Sequence, residues 1–381
     1  MRSGFFFVPA LYFLGNFYLY SWATRVTQPS TRLRRIILIS LILLLALFPV
    51  SKVWGRHDFN SLNRLLTLFS SVWMGLTLLF ILLTLGIDLL HLLCRGIGFP
   101  RAISRSRSLA YRRLLAAGIA CTGIILGGYA FWEARHIGIS QVEIPLRRLP
   151  PKMDGFSIVQ ISDVHYGMLQ ENGRLGEIVT RVNGLQPDLV VITGDLVDEA
   201  VSHMEKMALP LASLKSRFGV MAIMGNHEFF AGVERVETIM RQSGIQVLRN
   251  EIKLLPGGIQ VLGMDDPTFY RRRGSPLPDL DGLIKRLDPE KPSILLYHQP
   301  LHFEEVAASR VGLQLSGHIH GPQFFPMVPV VRLFFSHFRG LCRLQDSYLY
   351  VSRGVGTGGP PIRLGSPPEL VYIRLRAVKQ G

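Results

Sequence analysis

"SIVQISDVH", residues 157–165, is an apolar, partly β-branched run that breaks at its end into an aspartate and a histidine one residue apart. A strand buried on both faces reads as such a continuous run. Side chains at i and i+2 of an extended segment project to the same side, so Asp163 and His165 can reach into one pocket. The same form recurs downstream in DLVVITGDLVD (188–198), GVMAIMGNHE (219–228), SILLYHQP (293–300) and LQLSGHIH (313–320). Between the first two runs, Leu175, Ile178, Val179, Val182 and Leu185 keep helical spacing behind Asn172, a residue suited to capping. Further helical stretches are predicted near 203–216 and 234–243, an edge strand at VEIPL (142–146) and a turn at LPPKMDG (149–155). Strands alternating with helices predict an α/β domain with a buried sheet, and in such sheets functional groups gather at the carboxyl ends of the strands.

Upstream of residue 138 the texture is different. The 381-residue chain is 48% hydrophobic, and the excess sits in long, nearly uncharged runs at 5–23, 36–50, about 66–93 and 114–132. A bilayer-crossing helix needs roughly 20 such residues, which predicts four spans in a transmembrane region 1–137, followed by a separate domain 138–381. The second run is short unless it continues through Val53 and Trp54; otherwise it is interfacial or re-entrant. The formal charge of +15 would fit a nucleic-acid binder, but much of it flanks the apolar runs: Arg25, Arg32, Arg34 and Arg35 in one loop, and Arg95, Arg101, Arg105, Arg107, Arg112 and Arg113 in another. No nucleic acid is expected as a specific partner. Both loops lie on one side of a four-span bundle, and the positive-inside rule makes that side cytoplasmic, leaving the C-terminal domain extracytoplasmic. Cys94, Cys121 and Cys342 have no CxxC spacing and build no disulfide framework or structural zinc site.

Five strand ends carry metal-ligand residue types: Asp163 and His165; Asp195 and Asp198; Asn226, His227 and Glu228; His298; His318 and His320. Any one end is explained by an ordinary turn or cap. Five in this order, each closing an apolar strand, are not. Carboxylate, imidazole and amide oxygen together suit Mn, Fe or Zn better than a lone Ca or Mg. Seven ligands are too many for one ion and imply two, which in two-metal sites lie about 3.5–4 Å apart and clamp both oxygens of a phosphoryl transfer.

These blocks, DxH, GDxxD, GNHE, H and GHxH, resemble the calcineurin-like metallophosphoesterases over about residues 154–376, as do the lead-in ISQVEIPLRRLP and the tail SRGVGTGGPPIRLGSPPE those of the membrane-anchored bacterial subgroup. The resemblance implies a two-sheet sandwich flanked by helices. It implies that Asp163, His165 and His320 hold one divalent ion, that Asn226, His298 and His318 hold the other, and that Asp195 bridges them. His227 would be the general acid, oriented by Asp198, in a metal-dependent phosphoric ester hydrolase using a metal-bridged hydroxide. Glu228 is left with a helix start or an ion pair.

Some members of the subgroup act on lipid-linked pyrophosphates, so the expected partners are membrane lipids and a phosphorylated, lipid-linked substrate. A UDP-2,3-diacylglucosamine-type pyrophosphate of lipid A synthesis is the alternative if the domain faces the cytoplasm. A non-catalytic phosphate-sensing membrane scaffold is the alternative from another class, and its sign would be lost ligands; none is missing. A transport module built on the helices would call for buried charge, and only Asp88 and His91 stand out. Gly354, Gly356, Gly358 and Gly359 would let backbone amides approach a phosphate, or else form a tight loop, and Arg363 is a candidate for touching it. FFPMVPVVRLFFSHF (324–338) reads either as an apolar rim beside the metals or as a packed β-hairpin.

Overall fold

The structure, a computed structural model, describes residues 4–57, 60–96, 108–169, 172–198 and 203–378. Arg101, Arg105 and Arg107 of the second basic loop lie outside the described residues. The chain forms two compact units, one running to Trp132 and taking in Gly359–Ile362, the other Glu133–Gly358 with Arg363–Gly381.

Among its described residues the first unit holds four long helices, α1 (Gly4–Thr27), α2 (Thr31–His57), α3 (Ser61–Gly96) and α4 (Leu109–Glu133). Among the described residues three spans, Thr31–Trp54, Ser61–Cys94 and Leu109–Glu133, are long and apolar enough to cross a bilayer, against the four expected. The second expected run continues through Val53 and Trp54, the extension that makes it long enough to span. In α3 the usual arrangement of a water-soluble helix is inverted. Asn63, Thr67, Ser70, Ser71, Thr77 and Thr84 are buried, while Leu65, Phe69, Leu85, Leu89 and Leu92 are exposed. Small polar groups packed inward and leucines turned outward fit a lipid solvent, where helices associate through close packing and polar bonds. Asn63 Nδ2 donates to the Ser51 carbonyl of α2 at 3.0 Å, and Asp88 accepts from Tyr18 and Trp22 of α1 at 3.1 and 3.4 Å. Asp88 therefore joins two helices.

The second unit is α/β. Its twelve strands are β1 (Gly138–Leu146), β2 (Ser157–Ile161), β3 (Leu189–Thr193), β4 (Val220–Ile223), β5 (Gln246–Val247), β6 (Glu251–Leu254), β7 (Gln260–Met264), β8 (Ser293–Tyr297), β9 (Leu313–Ser316), β10 (Gly340–Leu344), β11 (Ser347–Val351) and β12 (Glu369–Ala377). They form two six-stranded mixed sheets, ordered β1-β12-β2-β3-β4-β5 and β10-β11-β9-β8-β7-β6. Strands β2 to β5 run parallel, as do β7, β8, β9 and β11. VEIPL lies in edge strand β1, paired only with β12.

Alternate residues of both sheets meet in one core: Ile158, Leu189, Val191, Met221 and Ile223 from the first, Val261, Ile294, Leu296, Leu313 and Leu315 from the second. Each such side chain, fully buried, contributes about 1.5–3 kcal/mol of apolar transfer. Residues of opposite parity on the second sheet, Leu262, Met264, Leu295 and Tyr297, pack under Leu283, Val306 and Val311. Strands covered on both faces are mostly apolar; buried exceptions such as Gln160 and Gln314 have their amide N–H groups hydrogen-bonded, and the charged and imidazole side chains appear past the carboxyl ends.

Segment 324–338 holds a short helix, Val328–Val331, among turns. The packed hairpin is β10–β11, which starts only at Gly340.

Candidate metal centre

The five strand ends converge. Asp163 follows β2, Asp195 follows β3, Asn226 opens a helix after β4, His298 follows β8 and His318 follows β9. Backbone bonds continue the ladder past the strands: Asp163 N donates to Gly194 O at 3.1 Å, His165 N to Asp195 O at 3.0 Å and Gly317 N to His298 O at 2.8 Å. Asp163, His165, Asp195, His318 and His320 all have positive φ, between 52° and 73°. Such a conformation is uncommon without glycine and persists where the surroundings enforce it.

Among the described residues three groups of ligand-type residues emerge, and one of them, His165, Asp195 and His227, shares a member with each of the other two. Asp163, His165 and His320 present ligand atoms within 4.8 Å of one another, and so do Asp195, His298 and His318. His165 Nε2 lies 3.0 Å from His320 Nε2, and His320 Nε2 lies 3.6 Å from Asp163 Oδ1. In the second group His298 Nε2 is 3.1 Å from Asp195 Oδ2 and 3.3 Å from His318 Nδ1. The same Asp195 Oδ2 is 4.0 Å from His165 Nε2, so one carboxylate faces both groups. Asn226 Oδ1 is buried without a hydrogen-bond partner, and an amide oxygen in that position is a donor awaiting a cation. His298 Nδ1 faces the Thr193 carbonyl at 2.8 Å; donating there, it leaves the Nε2 lone pair toward Asp195. The residues fit divalent ions.

The electrostatics agree. Burial would lower His298, but the Asp195 carboxylate beside it holds the ring well above its ordinary value. His165 is likewise raised, against burial, by Asp198 and then Asp195 and Asp163. Burial would raise Asp195, yet His298, His227 and His165 hold it well below the usual carboxylate range. His320 is pushed well down by burial and then by His165 and Arg363, and His318 is lowered by burial and His298. Carboxylates that pull protons onto buried imidazoles attract any cation, and a divalent ion displaces the proton.

His227 sits at the rim of these groups. Its Nδ1 meets the backbone carbonyl of Asp198 at 2.6 Å, and the Asp198 carboxylate is 3.6 Å away, so the carbonyl is the nearer orienting group. Asp198 Oδ1 also lies 3.5 Å from His165 Nδ1. Glu228, fully buried, is the residue the sequence undervalued. It accepts from the backbone N–H of Asp195 at 2.9 Å, Val197 at 3.2 Å and Gly225 at 2.7 Å, starting the helix Asn226–Ala231 and tying two ligand loops together. Gly225 followed three residues later by a glutamate is a capping-box spacing, which was the available signal.

Arg363 corrects an expectation. It does not face substrate; it is fully buried, with its guanidinium on the carbonyls of Gly356 (2.9 Å) and Ser366 (3.0 Å) and on His320 Nδ1 (3.1 Å). Burial lowers it to about 9. The glycine-rich loop is likewise spent internally. Gly356 N donates to Asp163 O at 2.8 Å and Gly358 N to Gln323 Oε1 at 3.0 Å, while Gly354 N meets Ser352 Oγ at 3.0 Å. The loop packs on the Asp163 turn and offers none of these amides to a phosphate. Strand β7 also ends in carboxylates that the sequence reading passed over. Asp265 is taken by Arg249 at 2.8 Å, and Asp266 caps the helix Pro267–Arg273 and holds Gln299 at 2.8 Å.

Residues 156–322 match the profile of the calcineurin-like phosphoesterases. An uncharacterized metallophosphoesterase of Helicobacter pylori is 34% identical over 292 residues, covering 74% of this chain and 78% of its own. One from Aquifex aeolicus is 35% identical, covering 66% of this chain and 97% of its own. A transmembrane protein with metallophosphoesterase domain from Bos taurus is 32% identical, covering 72% and 65%.

Proposed function

Because the chain belongs to the calcineurin-like phosphoesterase family and is thereby a metal-dependent phosphoesterase, we propose that it is membrane-anchored, holds two divalent ions, and cleaves a phosphoester or pyrophosphate bond of a lipid-linked substrate. The observation that carries this is the Asp195 carboxylate between the two ligand groups, with Oδ2 3.1 Å from His298 Nε2 and 4.0 Å from His165 Nε2. Asp163, His165 and His320 would hold one ion, and Asn226, His298 and His318 the other. Divalent cations there, whether Mn, Fe or Zn, would neutralise phosphoryl charge and activate the attacking water.

The chain's own residues do the rest. The Asp198 carbonyl accepts from His227 Nδ1–H, so the imidazolium form carries its second proton on Nε2, from which it passes to the departing oxygen as the P–O bond breaks. The rim supports an apolar substrate portion: Phe230 lies 5.7 Å from the His227 ring and Phe335 5.8 Å from the His318 ring. Arg272 stacks over Phe230 at 4.2 Å, placing a cation near the leaving-group side. On the charge of the loop holding Arg25, Arg32, Arg34 and Arg35, the domain is assigned to the extracytoplasmic side.

The test uses full-length protein in detergent, stripped by chelator and reloaded with Mn, Zn or Fe(II). It is offered bis(p-nitrophenyl) phosphate, a phosphomonoester and a lipid pyrophosphate. Metal-dependent release is expected from at least one; none from any of the three rejects the assignment. A reporter fused to the C-terminus decides the side.

A further inference from the structure

We propose that the turn around the helix Val328–Val331 is a membrane-insertion element, burying its apolar tip in an anionic bilayer beside the metal cleft. In the intact chain Leu333 is 79% exposed, Phe334 73% and Phe325 64%, with Val330 also exposed. These side chains crowd one short excursion between β9 and β10. Exposed apolar side chains clustered in this way mark a surface with a partner, where singly exposed ones such as Leu209 or Leu254 are ordinary.

The charge around the tip names the partner. From Val306 to Gln345 the sequence has no acidic residue and carries Arg310, Arg332, Arg339 and Arg343. Arg332 and Arg339 are exposed, and each lies over the Phe338 ring, at 5.6 and 5.8 Å. Arginines beside projecting aromatics suit a headgroup layer: apolar groups enter the acyl boundary and guanidinium groups meet lipid phosphates. A protein partner would call for no such one-signed surround.

The chain between the apolar span and the domain is also short. Helix α4 ends at Glu133 and β1 begins at Gly138, so only Ala134–Ile137 separate an apolar span from the domain. The element also leads out of the cleft, because its chain continues from His318 and His320, and Phe335 returns to within 5.8 Å of the His318 ring. Insertion would set the cleft at the interface. The proposal stands whether or not the cleft hydrolyses lipid.

The experiment reads depth, not activity. In full-length protein with Cys94, Cys121 and Cys342 replaced by alanine, an environment-sensitive fluorophore is attached to Leu333→Cys, Phe334→Cys or Leu209→Cys. Leu209, 79% exposed on the distant helix Ala208–Ala212, serves as the control. The protein is reconstituted in phosphatidylcholine vesicles with and without phosphatidylglycerol, containing lipid with a quencher on its acyl chain. The expected result is a blue shift and about twofold quenching at 333 and 334, stronger with phosphatidylglycerol and weakened by Arg332→Glu with Arg339→Glu, with neither effect at 209. Emission at 333 and 334 matching that at 209, quenched or not, overturns the proposal. So does quenching in detergent that saturates at one lipid per chain, which would identify a bound acyl chain instead of a bilayer.

Discussion

Replacing Gly317 by alanine tests whether the ligand loops interlock as described. A methyl group built there would lie 2.0 Å from Ser162 Oγ and 2.2 Å from Asp163 Oδ2. Neither neighbour has room to yield, since both residues are fully buried and the Asp163 carboxylate also accepts from His318 N at 3.0 and 3.1 Å. Overpacking of this kind costs about 1–3 kcal/mol. For a domain of about 150–250 residues each kcal/mol moves Tm by about 2–4 °C, so a fall of about 2–12 °C is expected. The relief available is to push Asp163 away from His318, and a shift on the order of 1 Å at a reacting centre costs about a hundredfold in rate. Gly176→Ala provides the contrast. It lies in the helix Asn172–Gly184 and its methyl would meet nothing within 4 Å. Alanine should therefore stabilise by about 0.5–1 kcal/mol. Thermal unfolding of the full-length protein in detergent, with metal content measured in parallel, separates the two. If Gly317→Ala melts and turns over like the unmodified chain, the interlocking is wrong.

Asp195→Asn keeps an acceptor for the His227 N–H, now 2.9 Å from Oδ1, but removes the shared charge. Elemental analysis should show metal lost from both groups, with activity down by about a thousandfold or more, since several kcal/mol of charge stabilisation go with it. His227→Gln should lower kcat by about 10²–10⁴ for a poor leaving group and much less for p-nitrophenolate, because only the former needs a proton. Arg363→Met should lower retention at the His320 group while sparing the other, which site-resolved metal titration reads; equal loss at both would make its role general. The pH dependence has a definite sign. His298 and His165 are raised in the folded chain, so without metal their contribution to stability is present at low pH and lost as pH rises through those raised values. Metal must displace these protons, so the rise in Tm on adding Mn or Zn should grow with pH, and a flat difference would refute this.

The strand ends were legible because the parallel strands covered on both faces carry few polar residues, and no charged one, until they leave the sheet. The break from Ile161 to Asp163, or from Tyr297 to His298, is therefore written in hydropathy alone. Sheet order was not. Strand β12 inserts between β1 and β2 from the far end of the chain, a pairing no local pattern encodes. Arg363 was misjudged because a loop arginine ordinarily faces water, and nothing near it announces that the backbone carbonyls of Gly354, Gly356, His320 and Ser366 and the His320 ring will enclose it. The left-handed backbone at Asp163, Asp195 and His318 was equally silent, since only glycine or asparagine advertises that conformation in sequence. The apolar density of 324–338 was visible; its resolution into a projecting turn depended on β10 starting only at Gly340.

Glu228 grips the amides of three residues on two loops with a single carboxylate, and that grip has a consequence for how the enzyme can diversify. A catalytic floor pinned this way is a poor place to try new preferences, because any adjustment on one loop drags the other along. Innovation in what the enzyme accepts is confined to its doorway, where Arg272 and the Val328–Val331 turn stand clear of the clamp.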